Sequence, residues 1–498
     1  MRATTTVFSA ITGLLLSVVT PIACSSPDNP SVPSDAGTDV GTIPDPDTVA
    51  PRVLFRTPDD GESDVSARAP IRVTFSEAVK FGTKPVTLSA NGVEIPIACT
   101  LSADAKVMSI SPTSEIPLPT KLSVDFGDIS DLRGNALIRP TWSWSVPQWL
   151  QFGNSFPSQG GDNIRLSAGP SEQVNVTVLY SNDNGPLPSQ VFSIGQPSGS
   201  WQRLPGSPGR TTHTPAVVVD KDGALVVATV DESTWNLVVQ RYRSQEWEQI
   251  GGPFPVAATE GFSLAVDAGG ILFLAYDAPT SSDGSNVVVK ALARGETNNW
   301  TPLRASVNDI STTTSVRLES LALDSRGTPY VAYRVERTEN GRTTLDGFVR
   351  SWSAGQWRAV GNALNASDEE VRSIKVTADA TNTPFVAVQL DNIFLSRSQL
   401  LIRRFDGSAW TNCGPEIGER GKSLLFSPMR GGHLFAYIAV DDAFRTFDVT
   451  ATGWTQQPSP SLMPDLGPEP SAAIDPAGIP IIGWNDTASN IHVVRLNR

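Results

Sequence analysis

The sequence predicts an all-β protein whose last 350 residues form a closed ring of repeated four-stranded units, preceded by a smaller β-module. Three observations predict it. Seven tryptophans recur as Trp149, Trp201, Trp247, Trp300, Trp357, Trp410 and Trp454, with gaps of 52, 46, 53, 57, 53 and 44 residues. Short runs rich in β-branched residues lie between them, bounded by turn formers. An Asp-x-x-Gly tetrapeptide follows the first run of several units. A period near fifty residues marks a repeat architecture, and four short strands per period make one blade of a β-propeller.

Taken from the N-terminus, residues 1–23 read as a signal peptide. Arg2 precedes a 13-residue apolar run, residues 7–19. That run is too short to span a bilayer as a helix. The segment around Ala23-Cys24 resembles a bacterial lipoprotein signal, although Pro21 stands where that family usually carries Leu. The resemblance implies that Cys24 becomes the lipid-bearing first residue, with Ser25 after it pointing to the outer membrane. Ordinary secretion after cleavage near Ser25 is the competing expectation. Residues 24–50 read as a tether, with five prolines, five aspartates and no lysine or arginine. Without an apolar period it is expected to be extended and disordered.

Residues 51–147 read as a separate β-module. Residues 71–79 alternate like a half-buried strand, and Asn91-Gly92 reads as a hairpin turn between residues 85–88 and 94–100. Strands follow at 107–112 and 121–126, and Trp142 and Trp144 close the module. The Phe75-Ser76-Glu77 strand and the Ile129-Ser-Asp131…Gly134-Asn135 loop resemble the bacterial Ig-like domain of S-layer and surface proteins. The resemblance implies a small β-sandwich serving as spacer or adhesion module. The family's tyrosine before this loop is absent; Leu122 stands near its place.

Residues 148–498 carry the propeller. One unit runs through residues 216–220, a turn, 225–228, 237–242 and 247–251; residues 263–267, 320–324, 375–379 and 471–475 open others. The turns Asp220-Lys-Asp-Gly223, Asp267-Ala-Gly-Gly270, Asp324-Ser-Arg-Gly327 and Asp475-Pro-Ala-Gly478 suit hairpins. Asp bonds its own backbone two residues on, and Gly adopts positive φ. A calcium loop would need further oxygen ligands and a distal Glu. After Trp454 the chain ends one strand short of a unit, and Trp149-Leu-Gln-Phe-Gly153 supplies that strand from the other end. Closure on this pattern gives seven blades. Six is the fallback, because the first unit lacks the turn and the sixth has Ser427 in place of Asp. Each recurring Trp is expected to pack between neighbouring blades.

Charge excludes some classes. The chain holds 38 Lys plus Arg against 51 Asp plus Glu, net −13. It has no basic stripe, so nucleic acid is not an expected partner. His213, His433 and His492 fall in different units without metal-ligand spacing, so no metal or cofactor is expected. Cys99 and Cys413 sit in different modules and read as isolated thiols. No Gly-x-Ser-x-Gly is present. Ser181-Asn-Asp183-Asn-Gly185 begins like the Asp box of sialidase propellers but lacks its Trp.

An aromatic set is the candidate ligand site. The second strands end at Tyr276, Tyr333, Tyr437 and Trp484, with Tyr180 at the matching place in the first unit. Equivalent positions in a ring share one height, so these rings would form a circle able to stack on sugars or grip a peptide. Packing between blades is the alternative. Residues 334–346 read as the longest polar loop, where a rigid scaffold carries specificity. Two functions follow. One is a membrane-anchored surface protein binding a glycan, peptide or protein. The other is a secreted glycosidase or lyase, which needs paired carboxyl groups about 5–10 Å apart.

Overall fold

The computed structural model describes residues 48–158, 163–169, 173–179, 181–182, 185–186, 189–195, 199–209, 213–231, 233–257, 261–280, 284–303, 307, 315–339, 341–392, 397–417, 423–428, 433–440, 443–458, 470–475 and 477–497. The signal segment, Cys24, most of the tether, Tyr180 and Asp183 lie outside the described residues. The regular elements described are strands throughout. The chain divides into two compact units: Met1–Gln148 with Asn497–Arg498, and Trp149–Leu496.

In the first unit two four-stranded antiparallel sheets share one core. One orders Val53–Thr57, Ile71–Phe75, Val107–Pro112 and Ile97–Leu101; the other orders Ser143–Val146, Thr120–Asp125, Thr87–Ala90 and Val93–Ile95. Alternation along Ile71–Phe75 puts Ile71, Val73 and Phe75 inside, where they meet Leu88, Met108 and Trp144. Asn91 and Gly92 take φ of 49° and 85°, as a two-residue hairpin turn requires. The single strand expected at 94–100 breaks at Pro96. Proline has no N–H for the ladder, and beyond it Ile97–Leu101 joins the opposite sheet.

The Asp131 loop is built by one carboxylate. Its Oδ1 accepts the amides of Gly134 and Asn135 at 2.6 and 2.8 Å, and its Oδ2 accepts Asn135 Nδ2 at 2.6 Å. Burial pushes the Asp131 carboxyl up, but these bonds outweigh it and hold it below the ordinary Asp value.

Among the described residues the second unit contains six four-stranded sheets and one five-stranded sheet, here I to VII in the order of their first strands, besides the small hairpin of Ser181–Asn182 and Gly185–Pro186. Their first strands are Asn163–Ala168, Ala216–Val219, Phe262–Val266, Val316–Leu323, Glu369–Ala378, Ser423–Pro428 and Ser471–Ile474. Each lies against the first strand of the next sheet, and that of sheet VII lies against that of sheet I. The architecture is therefore propeller-like. Sheet VII is completed by Trp149–Gln151, with Trp149 opposite Leu496 and Gln151 opposite Val494. The missing strand is supplied as the sequence predicts.

The second strands are buried on both faces, as in Leu225–Asp231 and Pro480–Asn485. Their near-continuous apolar runs follow from having a neighbouring sheet on each side. Full burial of each Val or Leu stabilises by about 1.5–3 kcal/mol.

The turn aspartates are spent on backbone. Asp220 Oδ1 accepts the amides of Asp222 and Ala224, and Asp324 Oδ1 those of Arg326 and Thr328. Sheet V keeps the device with Asn382, at φ 65°, in the glycine position.

The recurring tryptophans link sheets. Trp300 Nε1 donates to Ile250 O at 2.7 Å, Trp357 to Leu303 O at 3.0 Å and Trp410 to Val360 O at 2.9 Å. Trp149, Trp247 and Trp454 donate in the same way to Pro458, Pro205 and Pro415. Each acceptor lies three to five residues beyond the tryptophan of the preceding sheet, so every such indole is tied to its neighbour. Cys413 is a free, buried thiol, whereas Cys99 is disulfide-bonded; only Cys413 is the isolated thiol that the sequence suggested.

Candidate functional site

The four described aromatics of the expected circle are core residues. Tyr276 stacks on Phe254 at 5.8 Å, Tyr333 on Phe348 at 5.8 Å and Trp484 on His492 at 5.3 Å. Tyr276, Tyr333, Tyr437 and Trp484 are 5%, 2%, 1% and 0% exposed. None offers a ring face to a ligand, which corrects the surface reading. The reason is topological: a second strand has a sheet on either side, so rings on it enter inter-sheet cores. Burial accordingly raises the hydroxyl pKa of Tyr276, and that of Tyr437 strongly.

The expected loop at 334–346 is also corrected. Pro329–Glu339 and Arg342–Ser353 form one long hairpin, pairing Arg334 with Gly347 and Glu339 with Arg342. Arg334 is thus a strand residue aimed inward.

The groups that do converge lie on and beside the inner strands. Glu319 sits in sheet IV at a register shift between Leu318 and Ser320. Such a bulge re-aims a side chain out of the regular alternation. Arg334 Nη2 meets Glu319 Oε1 at 2.5 Å, its Nε donates to the same oxygen at 2.6 Å, and its Nη1 reaches Val371 O at 3.3 Å. From sheet V, Ile374 N donates to Glu319 Oε2 at 3.3 Å, and Lys375 Nζ donates to Glu319 O at 2.9 Å. Glu319 and Arg334 are 9% and 14% exposed.

Burial first, then the charges of Arg165 and Arg334, lower the Lys375 pKa against the pull of Glu319. Arg165 comes from the inner strand of sheet I, and its charge also draws down the hydroxyl of Tyr437 on sheet VI. Lys375 keeps some accessible surface while being densely surrounded by protein.

This arrangement suits an anion. Arg334 and Lys375 outnumber the single carboxylate of Glu319, and low-dielectric surroundings strengthen their attraction for negative charge. The sequence hid the cluster. Glu319 and Lys375 lie within apolar strand patterns, Arg334 looked like a loop residue, and the three are brought together from two sheets.

Outside the ring, two shallow grooves of about 630 and 370 Å3 share Asn91 and Lys121 in the first unit. Asn91 Oδ1 accepts the Lys121 amide at 2.9 Å, so these polar groups are engaged in the sheet edge.

Residues 47–146 match the bacterial Ig-like domain family. No curated protein matches the chain. Among solved structures the chain is similar to a polysaccharide lyase of family PL25, an ulvan lyase, at 12% identity, covering 69% of this chain and 94% of the other, with TM-score 0.45. The β-propeller domain of the Trilobed protease from Pyrococcus furiosus matches at 8% identity over 68% and 95%, with TM-score 0.43. The six-bladed fucose-recognising lectin of Aleuria aurantia matches at 14% identity over 62% and 100%, with TM-score 0.39.

Proposed function

We propose that this chain is an exported binding protein in which an Ig-like sandwich is the spacer and a seven-bladed propeller is the recognition module for a glycan carrying anionic groups. The observation that carries the ligand class is the Arg334–Glu319–Lys375 cluster, two cations to one carboxylate in a chain of net charge −13. A uronate carboxylate or sulfate ester entering there meets donors already held in place by strands, which lowers the cost of binding. A lipid on Cys24 anchors the chain at the outer membrane or cell surface. The competing localisation is secretion after cleavage near Ser25; the disulfide at Cys99 belongs to oxidising compartments and accords with export by either route.

The test uses the full chain with alginate, polygalacturonate and neutral dextran as probes. Binding to the polyuronates, weakened by salt and lost in Lys375→Met with the fold retained, is the expected result. Equal binding to dextran, or unchanged binding in Lys375→Met, overturns the reading. A glycan lyase is the second reading. It rests on the same cluster: a uronate carboxylate held by Arg334 would set its neighbouring C–H beside the Lys375 amine. Unsaturated sugar ends after prolonged incubation with polygalacturonate distinguish it from binding alone.

A further inference from the structure

Trp235 differs from every other described tryptophan. It is 53% exposed, whereas the recurring indoles are packed against neighbouring sheets. It lies at the tip of the hairpin joining Leu225–Asp231 to Asn236–Arg243 in sheet II. Its φ is 53°, in the left-handed region that a bulky side chain seldom occupies.

The turn that imposes this geometry is organised by Asp231. Its carbonyl accepts the amides of Thr234 and Trp235 at 3.2 and 2.7 Å, and its Oδ1 accepts Ser233 N at 2.9 Å and Ser233 Oγ at 2.6 Å. The His213 ring, which enters from the segment before sheet II, meets the indole edge-on at 5.7 Å and 64°. A glycine or asparagine would satisfy the same turn without strain. The position instead holds the largest flat side chain, with an imidazole at its edge, and leaves it in solvent.

We infer that Trp235 is a stacking platform for the apolar face of a pyranose ring. The indole face is electron-rich, and the axial C–H bonds of a sugar carry the complementary partial charge. Ser233 and Thr234 are exposed and adjacent to it in the chain, so the ring stands among polar side chains, the Ser233 hydroxyl being bonded to Asp231. An indole has only two side-chain torsions to immobilise, so stacking on it costs little side-chain entropy. The surroundings point away from a lipid surface, since one indole beside Asp231 and two hydroxyl residues is not an apolar face. The site is separate from the inner cluster and needs no charge on the ligand.

The test is saturation-transfer NMR of the full chain with methyl β-glucoside, methyl β-galactoside and methyl α-mannoside. Trp235→Gly removes the ring while suiting the left-handed backbone, and thermal unfolding verifies the fold. Saturation of ring C–H protons of one or more glycosides, lost in Trp235→Gly and kept in Lys375→Met, is the expected result. Signals unchanged in Trp235→Gly, no signal with any glycoside, or Trp235-dependent partition onto phosphatidylglycerol vesicles would each overturn the inference. Because Lys375→Met reports on the anionic site alone, failure of one site is distinguishable from failure of the other.

Discussion

The hydroxyl of Ser471 accepts a hydrogen bond from the backbone N–H of Leu166 at 3.1 Å, joining the inner strand of the last sheet to that of the first. Ser320 does the same for Val376 N at 2.9 Å between sheets IV and V. Both serines stand four residues before their turn aspartates, Asp475 and Asp324. Inner strands of different sheets share no ladder, so side-chain bonds of this kind tie them. Ser471→Ala leaves a buried amide without this acceptor and should cost about 1–3 kcal/mol. Urea unfolding measures it, and an unchanged midpoint would show that the seam contributes nothing.

Glycines receive the recurring indoles. A Cβ on Gly361 would lie 2.6 Å from Trp410 Nε1, whereas one on Gly355 would meet nothing within 4 Å. Both residues have positive φ, 71° and 75°. Gly355→Ala therefore carries only the backbone penalty, about 1–2 kcal/mol. Gly361→Ala adds overpacking of about 1–3 kcal/mol more. Equal losses in the two variants would remove the indole from the account.

Asp131 makes the first unit sensitive to acid. Its folded pKa is depressed, so its contribution is complete above the unfolded value near 3.8 and is lost as pH falls through the lower folded value. Asp131→Asn should destabilise at neutral pH, and the difference from wild type should shrink below about pH 3.8. A constant difference across the acid range would mean that the carboxylate's charge is not what holds the loop.

Lys375 has the opposite sign. Its folded pKa is lowered from 10.5, so the charged amine opposes folding at neutral pH, and the penalty fades as pH rises from the folded value to the unfolded one. Replacing a buried charge by an apolar group of similar volume is often neutral or stabilising. Lys375→Met should therefore be at least as stable as wild type near neutrality and lose any advantage as pH approaches 10.5. Chemical denaturation at several pH values checks this. A strongly destabilised variant would give the Lys375 bond to Glu319 O a structural role instead.

Intact mass of the exported chain checks the anchor. Acyl chains on Cys24 are the expected result, and a mature chain without them would overturn lipidation in favour of plain secretion.

Much of the fold was legible in particular residues. The Trp spacing and the Asp-x-x-Gly turns located the repeats, because an indole that bridges sheets and a carboxylate that caps a hairpin recur in most of the units. The strand at Trp149–Gln151 was placed in the last sheet by the missing strand alone. Glycines after the tryptophans, such as Gly251 and Gly361, were a visible signal whose meaning appeared only when Trp300 and Trp410 were found lying on them. The aromatic circle misled because a tyrosine at a strand end reads alike whether it faces a ligand or a neighbouring sheet.

The sequence by itself determined the all-β architecture, its repeat and the way the last sheet is completed, since these rest on local periodicity, turn chemistry and spacing along the chain. Only the tertiary structure decided which side chains are available for recognition. Tyr333 and Trp484 vanish between sheets, while Arg334, Glu319 and Lys375 meet across two of them and Trp235 is left in solvent. Burial and convergence depend on contacts between segments far apart in the chain, and no local pattern records them.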